Sequence, residues 1–82
     1  MPVLARFHGI LVRMYFREHG RPHFHVMYNE YNAVFDIETL EVMEGNLPNR
    51  ARRMVEEWAG NYQTDLMEMW HSQEFRKLPR LK

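Results

Sequence analysis

The stretch HFHVMYNEYNAVFDI, residues 23–37, alternates side-chain type on both sides of Asn29 and Glu30. Alternation at period two marks a half-buried strand, because successive side chains leave a strand on opposite faces. Asn29 tolerates the positive φ of a two-residue hairpin loop, which sets Tyr28 opposite Tyr31. By counting, Val26 faces Ala33 and Phe24 faces Phe35 on the core side, while His25 faces Val34 and His23 faces Asp36 on the outer side. Apolar meets apolar in this register, and a slip of one residue would turn the whole apolar set to water.

The pattern extends in both directions from this hairpin. In ILVRMYFR, residues 10–17, Ile10, Val12, Met14 and Phe16 share one face and Leu11, Arg13, Tyr15 and Arg17 the other. The connection EHGRP contains Gly20 and Pro22 and is longer than a tight turn. With Arg17 set opposite His23, Tyr15 falls opposite His25 and Arg13 opposite Met27. VLARF, residues 3–7, and LEVME, residues 40–44, read as two more short strands. Residues 1–45 therefore predict an antiparallel meander of about five strands.

After the turn-like EGNLPN the period changes to 3.6. Ala51, Met54, Val55, Trp58, Ala59, Tyr62, Leu66, Met69 and Trp70 fall on one stripe. The spacing predicts, within residues 46–75, one long helix from about Pro48 to about Phe75, with a break near Gly60 as the alternative. Asn46 is the expected cap, Pro48 fits the first turn, and Arg52–Glu56 and Arg53–Glu57 are spaced as charge pairs. Residues 76–82 form a basic tail expected to fray. The fold class is α+β, a five-stranded meander packed against a C-terminal helix in a single domain, residues 1–82.

Composition narrows the function classes. A chain of 82 residues buries one small core, and its seven methionines and eleven aromatic residues suggest surfaces that bury against a partner or a second copy. The absence of cysteine excludes disulfides and thiolate zinc sites, so a metal would need histidine and carboxylate ligands. No basic leader and no apolar run of membrane-spanning length are present, so a cytoplasmic protein without membrane contact is expected. Segment charges are +3 over residues 1–25, −5 over 28–45 and +2 from 46 onward, summing to zero. Such a chain is a poor electrostatic match for duplex DNA, which leaves RNA as a local contact only.

Three of the five histidines, His19, His23 and His25, lie within seven positions. Period two puts His23 and His25 on one face, with Arg13, Tyr15, Arg17 and Asp36 nearby and His19 and Arg21 over one edge. Three functions fit. Imidazoles can act as general acid and base on a phosphodiester held by arginine, as in a metal-free ribonuclease, with His19, His23, His25, Arg17 and Tyr15 the candidate catalytic residues. Alternatively His19, His23 and His25, with Asp36, ligate a divalent metal such as zinc; no other cofactor is expected. The face can also simply bind a protein or an anion. Against all three, histidines beside a Gly/Pro turn commonly just bond nearby carbonyls. His8 and His71 carry no assigned role. The Trp58, Tyr62 and Trp70 series reads as core rather than a base-stacking platform. DIETLEVMEG lacks the spacing of a calcium loop and reads as a solvated edge or a docking patch for a basic partner.

Taken together, ARFHGILVRMYFREHGRPHFHVMYNEYNAVFDIETLEVMEGNLPNRA and the EEWA of the helix resemble the small bacterial family called domain of unknown function 4160. The likeness is carried by Phe7, Gly9, Met14 and Tyr15, by His19, Pro22, His23, Phe24 and His25, and by Glu44, Gly45, Leu47 and Pro48. Arg21 stands where the family usually has the first of two prolines. The resemblance implies no activity. It does imply a gene neighbour whose products can carry a DNA-binding helix-turn-helix, an arrangement similar to toxin-antitoxin pairs. The expectation is a component of such a two-gene module, ribonuclease-like if an enzyme, whose His/Arg surface acts on RNA or is masked by a small cognate partner protein. The alternatives are a non-catalytic protein-binding module and a His-ligated metal-binding protein.

Overall fold

The computed structural model describes residues 2–82. Five antiparallel strands, β1 (Val3–Phe7), β2 (Ile10–Arg13), β3 (His23–Tyr28), β4 (Tyr31–Asp36) and β5 (Val42–Gly45), lie in chain order in one sheet. Two helices follow, α1 (Asn49–Asn61) and α2 (Gln63–Ser72). The class is α+β, as the two periodicities require. No helix among the described residues is long and apolar enough to cross a membrane.

The central hairpin has the register set by its turn. Tyr28 pairs with Tyr31, Val26 with Ala33, Phe24 with Phe35, His25 with Val34 and His23 with Asp36. Asn29 takes φ 52°, which its short polar side chain tolerates better than most. Phe24 and Phe35 stack nearly parallel with centroids 5.3 Å apart, and Trp58 of α1 meets Phe24 edge-on at 6.2 Å. All three are fully buried with Ile10, Val12, Val26, Ile37, Val55, Leu66 and Met69. The helices therefore cover the Phe24 face of the sheet.

The β2–β3 register differs from the expected one by two residues: Arg13, not Tyr15, lies opposite His25, and Leu11 opposite Met27. An even shift keeps every side chain on its face. Strand β2 ends at Arg13 rather than running to Arg17. Met14 stays buried, but Phe16, expected on the core face, is 58% exposed, and Arg17 turns the chain at φ 60°.

The single long helix is not formed. A helix from Pro48 to Phe75 would be about 42 Å long, whereas the longest extent of the molecule is 31 Å. The chain breaks at Tyr62 (φ −124°, ψ 22°), two residues beyond Gly60. Tyr62 ends α1 through its N–H to the Ala59 carbonyl and accepts the Leu66 N–H that opens α2. Gln63 fixes the bend to the sheet by donating to the carbonyls of Ile37 and Glu38 at 2.7 and 2.8 Å. Asn46 is not the cap. Pro48 holds that position without a side-chain bond, while the Asn46 N–H donates to Asn32 O. The Arg52–Glu56 pair forms at 2.9 Å. The basic segment beyond α2, expected to fray, lies against the body of the fold. Leu78 N–H donates to the Leu4 carbonyl at 2.8 Å, and Trp58 Nε1 donates to Pro79 O at 2.8 Å.

Gly45 closes β5 onto β4 at φ 76°, and a Cβ there would collide with the Asn32 carbonyl oxygen. Gly20, at φ 90°, has open space around it. Gly45→Ala should therefore cost at least about 2 kcal/mol in a denaturant titration, from backbone strain plus displacement of β4, and Gly20→Ala about 1 kcal/mol from strain alone. Equal costs would mean that the close approach to Asn32 does not constrain the sheet.

Candidate metal centre

His23 and His25 project to the same side of β3 because one residue separates them. Between β2 and β3 the chain doubles back through Arg17 and brings Glu18 over both rings. Glu18 Oε1 lies 2.6 Å from His25 Nε2 and 3.1 Å from His23 Nε2. One donor atom from each of the three residues lies within 4.8 Å of the other two. The side chains of Glu18, His23 and His25 are only 27%, 11% and 23% exposed, so the cluster is largely shielded from water.

Surrounding groups fix the rings. His23 Nδ1 lies 2.7 Å from the backbone carbonyl of Arg21. A carbonyl only accepts, so Nδ1 carries a proton, and Nε2 faces Glu18 with either a second proton or a lone pair. This is the arrangement that metal-ligating histidines adopt, the far nitrogen donating to a carbonyl while the near one is left for the ion. Trp70 of α2 covers His23 with centroids 4.9 Å apart, and Tyr15 meets His25 edge-on at 4.4 Å. Burial pushes the Glu18 carboxyl up, but the hydrogen bonds and charges of His25 and His23 outweigh it and hold the group below the ordinary carboxylate range. Glu18 is therefore a carboxylate at neutral pH, charged as a ligand must be.

The cluster can accommodate a small divalent ion. Zinc held tetrahedrally at Zn–N distances of 2.0–2.1 Å places its ligand atoms about 3.3 Å apart. The His23–Glu18 separation of 3.1 Å is already close to that edge. The His25–Glu18 separation of 2.6 Å would open by about 0.7 Å, a small side-chain adjustment. Beside the cluster, Tyr15, His25, Met27, Asn32, Val34 and Glu44 line an open cleft of about 290 Å³ on the outer face of the sheet.

The residues singled out from sequence divide into two groups. Tyr15, His23 and His25 come together. His19 is exposed and lies outside the donor cluster, and Arg17 contributes a turn, its backbone N–H bonded to Gln73 Oε1. Asp36, expected on the outer face near His23, is 2% exposed and engaged elsewhere. Its Oδ1 accepts from the N–H groups of Glu38 and Thr39 at 2.7 and 3.0 Å, and its Oδ2 pairs with Arg21 at 2.6 Å. It closes the β4–β5 turn and is not among the clustered donors. Arg21 thus anchors the loop twice, through its carbonyl to His23 and its guanidinium to Asp36.

Sequence reasoning missed Glu18 as the third donor and Trp70 as the lid on His23. The only signal for Glu18 was a carboxylate at the head of EHGRPHFH, and nothing local dictates that the loop folds back over the strand.

No curated protein and no solved structure matches the chain. Residues 9–71, well over half of the chain, match the model of the family described as domain of unknown function (DUF4160). That span contains the four strands β2 to β5, Glu18, His23 and His25, all of α1 and all but the last residue of α2. The chain belongs to the DUF4160 family.

Proposed function

We propose that this protein binds one divalent first-row transition ion, zinc being the best fit, through Glu18, His23 and His25. The observation that carries the proposal is the convergence of two Nε2 atoms and one carboxylate oxygen, with His23 Nδ1 committed to the Arg21 carbonyl. A ligand set of two histidines and one carboxylate leaves coordination positions open, as in metal sites that act on a bound water or substrate. The adjoining cleft gives a small ligand or a chain segment access from the Tyr15 side.

The metal-free ribonuclease arrangement has less behind it. Two imidazoles acting as acid and base need to stand on either side of a phosphate, whereas here both Nε2 atoms face one glutamate oxygen. One observation supports a metal-free variant: the 2.6 Å contact between Glu18 and His25 is of the kind that orients a histidine base. The two readings differ in chelator sensitivity.

Zinc titration of the purified, chelator-stripped protein should give about one equivalent bound. Replacing Glu18, His23 or His25 by alanine should weaken binding by at least about tenfold, and His19→Ala should not. The Glu18 carboxyl, held below its ordinary range, keeps its charge further into acid than an ordinary carboxyl, and acid that protonates the donor set should release the ion. Affinity should therefore fall as pH is lowered from neutrality. Binding that is equal in all variants would sink the proposal.

The cellular role we propose is a cytoplasmic component of a two-gene, toxin-antitoxin-like module, in which the site acts on RNA or is covered by a small cognate partner protein. This role rests on the resemblance drawn from the sequence, and the partly exposed histidine cluster is the surface it would use. Expression of the wild type alone should arrest bacterial growth with loss of intact RNA, and folded His23→Ala/His25→Ala should not. Unimpaired growth with both would remove the autonomous toxin and leave the partner-binding role.

A further inference from the structure

Two residues near the site hold a left-handed backbone conformation that side chains other than glycine rarely adopt: Arg17 at φ 60° and Gln73 at φ 62°. They lie 56 positions apart and are joined directly, the Arg17 backbone N–H donating to Gln73 Oε1 at 2.8 Å. Gln73 is the residue that ends α2. Its own N–H returns to the Met69 carbonyl, and its Nε2 donates to Trp70 O at 2.9 Å.

Glycine is the usual occupant of such a helix end because it has no Cβ to strain. A glutamine there carries that strain, and what it supplies in return is the side-chain bridge to the loop. Both ends of the bridge bear on the site. Arg17 immediately precedes Glu18, and Trp70, whose carbonyl orients the Gln73 amide, covers His23.

We infer that Gln73 is a positioning residue for Glu18. By holding the Arg17 peptide, it sets the direction in which the next side chain leaves the loop, so that the carboxylate meets the two Nε2 atoms. The role assigned to Gln73 rests on the metal reading of the cluster. A ligand held in place beforehand avoids the ordering cost of assembling the site around the ion.

The test uses Gln73→Gly and Gln73→Glu in the full chain. Glycine suits the left-handed position and removes the bridge, so its relief of strain offsets the lost hydrogen bonds and Tm stays close to that of the wild type. Glutamate keeps an acceptor oxygen for the Arg17 N–H and gives up the donor to Trp70 O, so it separates the bridge from that second bond. Amide hydrogen exchange at Arg17, read in the metal-free protein, should be at least about tenfold faster in Gln73→Gly. Zinc affinity should fall about tenfold in that variant, the lower end of what loss of a ligand-orienting partner costs, and stay within about threefold of wild type in Gln73→Glu. Unchanged exchange at Arg17 in Gln73→Gly, or unchanged zinc affinity once that amide is free, would overturn the inference. A wild type that takes up no zinc would overturn the metal reading and with it the role toward Glu18, while the exchange measurement still decides whether the bridge exists.

Discussion

Phe24 has one place to go. Its ring is fully buried between Phe35 and Trp58, and burying a phenylalanine side chain is worth about 1.5–3 kcal/mol. In a domain of this size that is a large share of the net stability. Once Phe24 faces inward, period two sends His23 and His25 to the opposite side of β3, separated by one residue and parallel in direction. Core packing therefore fixes the spacing of the two imidazoles, independently of whatever they bind. The glutamate loop and the tryptophan lid then close on a pair whose geometry is already set.

Three long-range contacts complete the arrangement. The Arg21 guanidinium pairs with buried Asp36, which carries its own turn, so the start of β3 is tied to the end of β4. The Arg21 carbonyl, immobilised by that anchor, accepts the hydrogen bond from His23 Nδ1–H. From the other side, the end of α2 contributes Trp70 against His23 and Gln73 against Arg17. The break at Tyr62 makes this possible, since a straight helix would outrun the body of the molecule, and Gln63 ties the bend to the Ile37–Glu38 corner.

The parts of this fold governed by local periodicity were legible in the sequence. The hairpin register follows from Asn29 and the apolar alternation, and the change from period two to period 3.6 locates the boundary between sheet and helices. The apolar stripe from Ala51 to Trp70 holds its phase even though the helix does not hold its axis, because Tyr62 costs only one turn's regularity. Features set by contacts distant in sequence were not legible. Glu18 reaches the histidines through a turn at Arg17 that is bonded to Gln73, 56 positions away. Asp36 has the outward parity of its strand, but it is the last residue of β4, where the chain turns and its carboxylate accepts from the backbone N–H groups of Glu38 and Thr39. His19 shares the motif with His23 and His25, yet it sits in a loop, where alternation gives no direction to a side chain.

His23 and His25 present Nε2 to a common point with Glu18, and the Arg21 carbonyl fixes the His23 ring. A long-range proton–nitrogen correlation spectrum of the imidazoles, recorded before and after one equivalent of zinc, tests this arrangement most directly. His23 should carry a proton on Nδ1 in the metal-free protein, and zinc should move the Nε2 resonances of His23 and His25 while leaving His8, His19 and His71 unchanged. A neutral His23 with its proton on Nε2 and a bare Nδ1, or zinc shifts confined to the other three histidines, would contradict it.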